Sequence, residues 1–556
     1  MRYPVLLATI LIGMSFALTR CASSDTFQVP TSAYTAIQDS TLRRHIQTLA
    51  SDAFEGRAPS SAGEEKTVTY LKNEFEALGL QPGNGESYFQ EVPLTEITAH
   101  PNTQLTISGK ETSLTLSYGK EAMCWTKRPV EQISLKQSPL VFVGYGIVAP
   151  EYGWNDYEGI DVQGKTVLIL VNDPGYATGD STLFNGKRMT YYGRWTYKFE
   201  EAARQGAAAA LIIHETGPAG YPWEVVQGSW SGEQFTLIND QQNMDRCAIE
   251  GWISTEAAQK LLHMASLDLK TLKEEAIRRN FQGRPLDLTL TTQLTNRVRQ
   301  TVSRNVIARL PGTQWPDEVI IYTAHWDHFG RDPALPGDQI YNGALDNATG
   351  TAGLLLLARA FSQLPEKPAR SVLFLAVTAE EQGLLGSAYY ATHPIYPPEK
   401  TVANINMDGL NIWGPTHDIT VVGYGMSELD TYAEWAAQRQ NRVVRPDPEP
   451  EKGYYYRSDH FSFAKAGIPA LYADAGIDHV QYGPEWMLEK RKEYVLERYH
   501  KPSDEYDPSW DLSGALQDLK FFFDVGYRLS QERSFPNWRE GTEFRALRDQ
   551  QRLPSP

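Results

Sequence analysis

Two glutamates, Glu380 and Glu381, stand side by side at the end of "SVLFLAVTAEE", an apolar run that reads as a buried β-strand from Ser371 to Thr378. Adjacent carboxylates repel, and such a pair taken alone is a solvated loop feature, since charged side chains are mostly exposed. Other strand-like runs end in a related way. "IIYTAHWDHFG" delivers His325, with Asp327 two residues on, "ANINMDG" delivers Asp408, and the loop "YNGALDNATG" sets Asp346 just ahead of a helix beginning near Thr349. Singly, Asp346 reads as a helix N-terminal charge, Asp408 as a turn residue and His325 as a satisfied core histidine. Jointly they bring four carboxylates and an imidazole to one rim. Buried like charges push pKa values up sharply, and a divalent cation removes the conflict. Histidine with carboxylates suits zinc, and a carboxylate can bridge two ions. Neighbouring residues after a strand point in different directions, so one glutamate can ligate a metal while the other serves as general base toward the water that the metal activates.

Such a rim needs a scaffold that aligns strand ends. "RNVIARL", "EVIIYTAH", "RSVLFLAVTAEE", "VANINMDG" and "IPALYAD" read as strands with helical stretches between several of them, notably "TGTAGLLLLARAFSQL". This alternation predicts an α/β fold with a mixed, largely parallel sheet covered by helices on both faces. Ligands then lie beyond the carboxyl ends of the strands. The turn from Gly312 to Asp317 is expected to join an antiparallel pair. Upstream, Glu64 to Leu78 carries apolar residues at helical spacing with Gly79 as its C-terminal stop. From about Pro101 to Gln293 strand-like runs ("PLVFVGYGIV", "KTVLILVN") and a helix leading into a strand ("TYKFEEAARQGAAAALIIHE") form a smaller unit without a cluster of metal-ligand types. The organisation read from the chain is a leader over 1–24, a first part of the main domain over 30–100, an inserted domain over 101–293, the rest of the main domain with the metal site over 294–545, and a mobile tail over 546–556.

At 556 residues the chain exceeds one compact core. A formal charge of −16 argues against nucleic acid as a partner. The apolar run from Val5 to Leu18 is short for a bilayer span and has the length of a signal-peptide core, so export is expected. Cys21 follows that run as in bacterial lipoprotein signals, but Arg20 occupies a position where those carry a small residue. A periplasmic or secreted protein and a lipoprotein touching the membrane only through Cys21 both stay open. Cys124 and Cys247 read either as a disulfide or as two buried thiols.

The ordered set of His-x-Asp, Leu-Asp-Asn before a small-residue helix, Glu-Glu and Asn-x-Asp-Gly resembles the co-catalytic zinc exopeptidases, the family that includes bacterial secreted leucyl aminopeptidases and glutamate carboxypeptidase. "LASDAFEGR", "RSDHFSFAKAGIPAL" and "YHKPSDEYD" are similar to its early and late motifs. "VQGKTVLI" and "AARQGAAAALII" resemble the mainly-β protease-associated domain often inserted there. The resemblance implies two zinc ions bridged by Asp346, with Glu381 and His500 completing one site and His325 and Asp408 the other. Glu380 would be the general base, and Asp327 would orient His325 from behind. For the last ligand His460, His479 and His328 are rivals; His500 is preferred because its motif precedes the final helix. His460 reads as a structural loop histidine or, within "SDH", as part of the active-site wall. The implied function is an exported zinc aminopeptidase acting on peptides. A carboxypeptidase or dipeptidase on the same scaffold is the first alternative, with Arg457 the nearest group for a substrate carboxylate. A non-catalytic receptor that kept the fold is the second.

Overall fold

The computed structural model describes residues 27–100 and 103–553. The leader and Cys21 lie outside them. The main sheet is built from β1 (Phe89–Ala99), β2 (Arg284–Leu310), β3 (Trp315–His325), β4 (Arg370–Val377), β5 (Thr401–Asn406), β6 (Asp418–Val422), β7 (Val443–Pro446) and β8 (Ala470–Ala475). Their order in space is β1-β2-β4-β3-β5-β8-β6-β7. The central four, β4, β3, β5 and β8, are parallel, while β1/β2, β2/β4 and β8/β6 are antiparallel.

The strand pairing after β2 differs from the antiparallel neighbour pair expected at Gly312–Asp317. The turn after β2 does not join neighbouring strands, because β4 inserts between β2 and β3 and pairs with both. All eight residues of β4 are buried. A strand without a polar face is best covered in the middle of a sheet, where both edges are paired and helices lie above and below.

The helices around this sheet are α1 (Asp39–Leu49), α2 (Ala62–Ala77), α3 (Gly350–Ser362), α4 (Leu385–Thr392), α5 (Leu429–Arg439), α6 (His460–Lys465), α7 (Gly483–Glu497), α8 (Ser513–Gln531) and α9 (Arg545–Gln551). At the start of α2, Ser61 Oγ accepts the amides of Gly63 and Glu64. At its end Gly79 (φ 72°) donates to Glu76 and Leu80 to Phe75, a Schellman stop that the left-handed glycine makes possible. α3 buries nearly every residue against β3, β4 and α8, which its Leu-rich sequence requires.

β2 is 27 residues long and belongs to two sheets. Up to Thr295 it pairs with the strand Gln132–Phe142, and from Asn296 onward with β1. The second sheet continues in parallel through Thr166–Leu170, Ala209–His214 and Ile249–Ser254, and has apolar clusters of its own. Cys124 and Cys247 are free thiols in its interior, and burial pushes both up to about 12.

The segment expected to be a mobile tail from 546 is instead docked through α9. Arg548 is 1% exposed and donates to the carbonyls of Pro398 and Thr401, while Gln551 donates to Ala466. The guanidinium thereby closes carbonyls at the start of β5, and this anchors the helix. No described helix is long and apolar enough to cross a membrane.

Candidate metal centre

β3 and β4 end level, with His325 opposite Val377, so the residues that follow each strand meet over the sheet edge. His325 Nδ1 donates to the carbonyl of Asp327 at 3.2 Å, which leaves Nε2 free to face the cluster. Nε2 lies 3.2 Å from Asp346 Oδ1 and 3.2 Å from Asp408 Oδ1. On the other side His500 Nε2 lies 3.3 Å from Asp346 Oδ2 and 3.1 Å from Glu381 Oε2. Asp346 therefore shows one oxygen to each of two donor sets. Ligands held about 2.0–2.1 Å from a tetrahedral zinc stand roughly 3.3 Å apart, so these separations and this imidazole–carboxylate chemistry fit the metal. Glu380 joins His325 and Asp408 in a group whose donor atoms all lie within 4.8 Å of one another.

The backbone bends sharply to achieve this. Ala379, between β4 and Glu380, has φ 52°, and His500 has φ 58°, both in the left-handed region that non-glycine residues avoid at a cost of about 1–3 kcal/mol each. Gly343 (φ 52°) tolerates no side chain, since a Cβ there would stand 2.3 Å from the Asp346 carbonyl and 2.6 Å from the His328 ring. Asp327 differs from expectation. Its carboxylate is 3.8 Å from the His325 ring, beyond hydrogen bonding, and its backbone carbonyl orients the imidazole instead. The carboxylate accepts the amides of Glu380 (3.0 Å) and Glu381 (3.4 Å), fixing the turn that splits the two glutamates.

The rival histidines are accounted for. His328 Nδ1 donates to Glu381 Oε1 at 2.5 Å, leaving Oε2 for the His500 side. His479 bonds the Trp413 carbonyl and accepts the amides of Gln481 and Tyr482, a loop-shaping role. His460 is buried between the rings of Tyr455 and Tyr472, each 4.8 Å away, and burial pushes its pKa down to about 3.

Several supporting residues had no role assigned from sequence. Arg57, from "LASDAFEGR", is 1% exposed and donates to the carbonyls of Trp326 (2.8 Å), Leu49 (2.7 Å), Asn342 (2.6 Å) and Gly343 (2.9 Å). Trp326 follows His325, and Gly343 opens the Asp346 loop. Asp504, in the His500 motif, accepts the amides of Leu345 and Asp346. Asn347 Oδ1 accepts Gly350 and Gly409 while Nδ2 donates to the Met407 carbonyl, tying the Asp346 and Asp408 loops together. Only the "EGR" and "PSDE" motifs hinted at two of these; the Asn347 bridge had no signal beyond its place beside Asp346.

The electrostatics follow from crowding charges in a dry place. Burial raises Glu381, but the charges of His500 and His328 and a hydrogen bond from His328 together outweigh it and hold the carboxyl at about 2. Burial likewise opposes ionisation of Asp346, and hydrogen bonds from His325 and His500 hold it well below the carboxylate range. Burial lowers the His500 imidazole, yet Glu381 and Asp346 more than reverse this and lift it to about 10. Glu380 rises well above its ordinary value through burial; His325 opposes the rise, and Asp408 and Glu381 add to it. Acids crowded in this way raise the proton affinity of His325 and His500, and a divalent cation would relieve the same crowding.

Residues 305–523 match the model of peptidase family M28. The fold is similar to that of an aminopeptidase from Aneurinibacillus sp. strain AM-1, with a TM-score of 0.52 and 20% identity over 91% of this chain and 97% of that one. A probable zinc metalloprotease of Pyricularia oryzae is 40% identical over 87 residues, covering 16% of this chain and 17% of that protein. A glutamate carboxypeptidase 2 homolog of Caenorhabditis elegans is 28% identical over 201 residues, 35% of this chain and 24% of that protein. The matched stretches thus span less than a quarter of either curated relative.

Proposed function

We propose that this chain, whose residues 305–523 match the model of peptidase family M28, is an exported zinc aminopeptidase that removes residues from the N-termini of peptides. The observation that carries this reading is the division of Asp346, with Oδ1 beside His325, which also faces Asp408, and Oδ2 beside His500, which also faces Glu381. Those five residues would hold two zinc ions. Bound zinc supplies Lewis acidity and makes water acidic enough to attack near neutral pH.

The chain's own groups do the rest. Glu380 is the general base, taking a proton from the attacking water and handing it to the departing amine. The Asp327 carboxylate anchors the Glu380 and Glu381 amides, so the base and its ligand neighbour keep distinct directions. The Asp327 carbonyl fixes the His325 tautomer. The acidic rim suits a substrate amine, which favours N-terminal over C-terminal trimming.

The test is mass spectrometry of the products from one ten-residue peptide offered with free ends, with an acetylated N-terminus and with an amidated C-terminus. Loss of trimming on acetylation alone, and on chelation of metal, is the expected result; loss on amidation alone would make the enzyme a carboxypeptidase. Export rests on the Val5–Leu18 run, and mass spectrometry of the mature N-terminus reads both cleavage and any lipid on Cys21.

A further inference from the structure

The unit that carries the second sheet sends one strand back to the main sheet. Glu233–Thr236 lies between Ala209–His214 and Ile249–Ser254 in the chain, yet those two pair directly with each other. Glu233–Thr236 pairs antiparallel with β1 instead, from Glu233 opposite Thr98 to Thr236 opposite Thr95. Arg297 of β2 ties it down, lying 2.9 Å from Glu233 and 2.9 Å from the buried Glu96 of β1. In "GEQFTLI" Phe235 and Leu237 stand two residues apart, which sets both on one face of an extended chain. Both pack against a small apolar cluster of Val92, Leu94, Ala379 and Leu385. The Phe235 amide, turned away from β1, donates to Gln382 Oε1 at 3.4 Å.

Ala379 and Gln382 bracket Glu380 and Glu381. The turn between them is demanding: Ala379 (φ 52°) and Leu384 (φ 62°) are both left-handed, a conformation that non-glycine residues keep only when their surroundings enforce it. Part of that enforcement comes from the peptidase domain itself. The Asp327 carboxylate holds the Glu380 and Glu381 amides, and Asn305 accepts the Thr378 amide at 3.0 Å while donating to the Gly386 carbonyl at 2.9 Å. The rest comes from the second unit. Among the described residues the Gln382 side chain bonds only the Phe235 amide, and the small Ala379 side chain shares its cluster with Phe235 and Leu237.

We propose that Phe235 and Gln382 are positioning residues through which the second unit sets the directions of Glu380 and Glu381. This rests on the metal-site reading above. Phe235 packs at the residue before Glu380, and Gln382 clips the residue after Glu381, so the turn is held on both sides of the pair. A turn released from that hold carries Glu381 away from His500, whose Nε2 stands 3.1 Å from its Oε2, and moves the base Glu380 with it. The inserted unit is thereby part of the support of the metal site.

The experiment uses substitutions in the full chain. Phe235→Ala removes the packing, and Gln382→Met removes the acceptor at similar volume. Leu262→Ala, in the second unit's own core, weakens that unit without touching the turn. Zinc competition against a fluorescent chelator at pH 7.5 should show one of the two ions bound about 10–100-fold more weakly in Phe235→Ala, the usual cost of a lost outer support. Gln382→Met should weaken it by about 3- to 10-fold, as befits one neutral hydrogen bond. Leu262→Ala should bind zinc as the wild type does while unfolding at lower urea. With the p-nitroanilide of leucine, kcat of Phe235→Ala should fall by about tenfold or more with KM within threefold, and Phe235→Leu should restore most of both kcat and zinc affinity. Zinc affinity in Phe235→Ala within threefold of Leu262→Ala would overturn the proposal. Should Phe235→Ala fail to fold, Gln382→Met decides, and zinc affinity within twofold of wild type sinks the idea. If nothing is cleaved, even by the wild type, the zinc comparison still stands alone: a loss confined to the Phe235 and Gln382 variants upholds the positioning role, and only the peptidase reading fails.

Discussion

Replacing Arg57 with lysine keeps the positive charge near the acid cluster and removes only the geometry that holds it. The guanidinium serves four buried carbonyls, those of Trp326, Leu49, Asn342 and Gly343, at 2.6–2.9 Å. A lysine carries its three donors on one nitrogen and cannot span that ring of acceptors, so about two carbonyls are left without a partner. At about 1–3 kcal/mol for each buried unsatisfied group, Arg57→Lys should lose about 2–6 kcal/mol of stability. Domains typically have about 5–15 kcal/mol, so the variant folds but is weakened. Two of the four carbonyls, those of Trp326 and Gly343, belong to the residues beside His325 and the Asp346 loop, and loss of such outer support typically costs about 10–100-fold in metal affinity. The assays are urea unfolding of the metal-free chain and zinc competition against a fluorescent chelator at pH 7.5. A folded Arg57→Lys protein that binds zinc within threefold of wild type would refute the claim that this arginine shapes the site.

Other consequences follow from individual residues. Glu380→Gln should keep its zinc and lose about 10²–10⁴-fold in kcat, the usual contribution of a general base; a variant within tenfold of wild type removes Glu380 from the mechanism. His460 is buried and its pKa is pushed down to about 3 from an ordinary 6.5. Its contribution to stability is therefore complete above about pH 6.5 and is lost as the pH falls toward 3, amounting to about 2 kcal/mol lost at pH 5. Unfolding free energies measured at pH 8 and pH 5 should show a shallower acid loss in His460→Phe than in wild type, and parallel curves would contradict this. Cys124 and Cys247, buried with their thiols pushed up to about 12, should not react with Ellman's reagent until the chain is unfolded. Fast reaction of either in the native state would mean that the second unit opens readily.

The cluster of acids and histidines was legible because parallel strands deliver their chemistry at one end. A reader who finds His325, Glu380, Glu381 and Asp408 after apolar runs can infer that they meet, and the structure brings them together with Asp346 and His500. What could not be read was adjacency. The short turn at Gly312–Asp317 suggested neighbouring strands, yet β4 lies between them, because pairing partners are chosen by burial of the whole strand rather than by turn length. Supporting residues were hidden for a related reason. Arg57 and Arg548 look like ordinary surface arginines in sequence; each is buried because carbonyls distant along the chain converge on it. Asp327 sat at the right position for a histidine partner, but its carboxylate reaches the Glu380–Glu381 amides and its carbonyl takes the imidazole. Backbone groups carry no signature in sequence, so such an exchange of roles appears only in three dimensions.

The central claim is that Asp346 joins two metal sites, and metal content per chain tests it most directly. Purified protein dialysed against trace zinc and analysed by inductively coupled plasma mass spectrometry should hold two zinc ions per wild-type chain, one in His500→Ala and fewer than one in Asp346→Ala. A wild-type chain with a single zinc that survives the loss of Asp346 would contradict the bridged arrangement and the mechanism built on it.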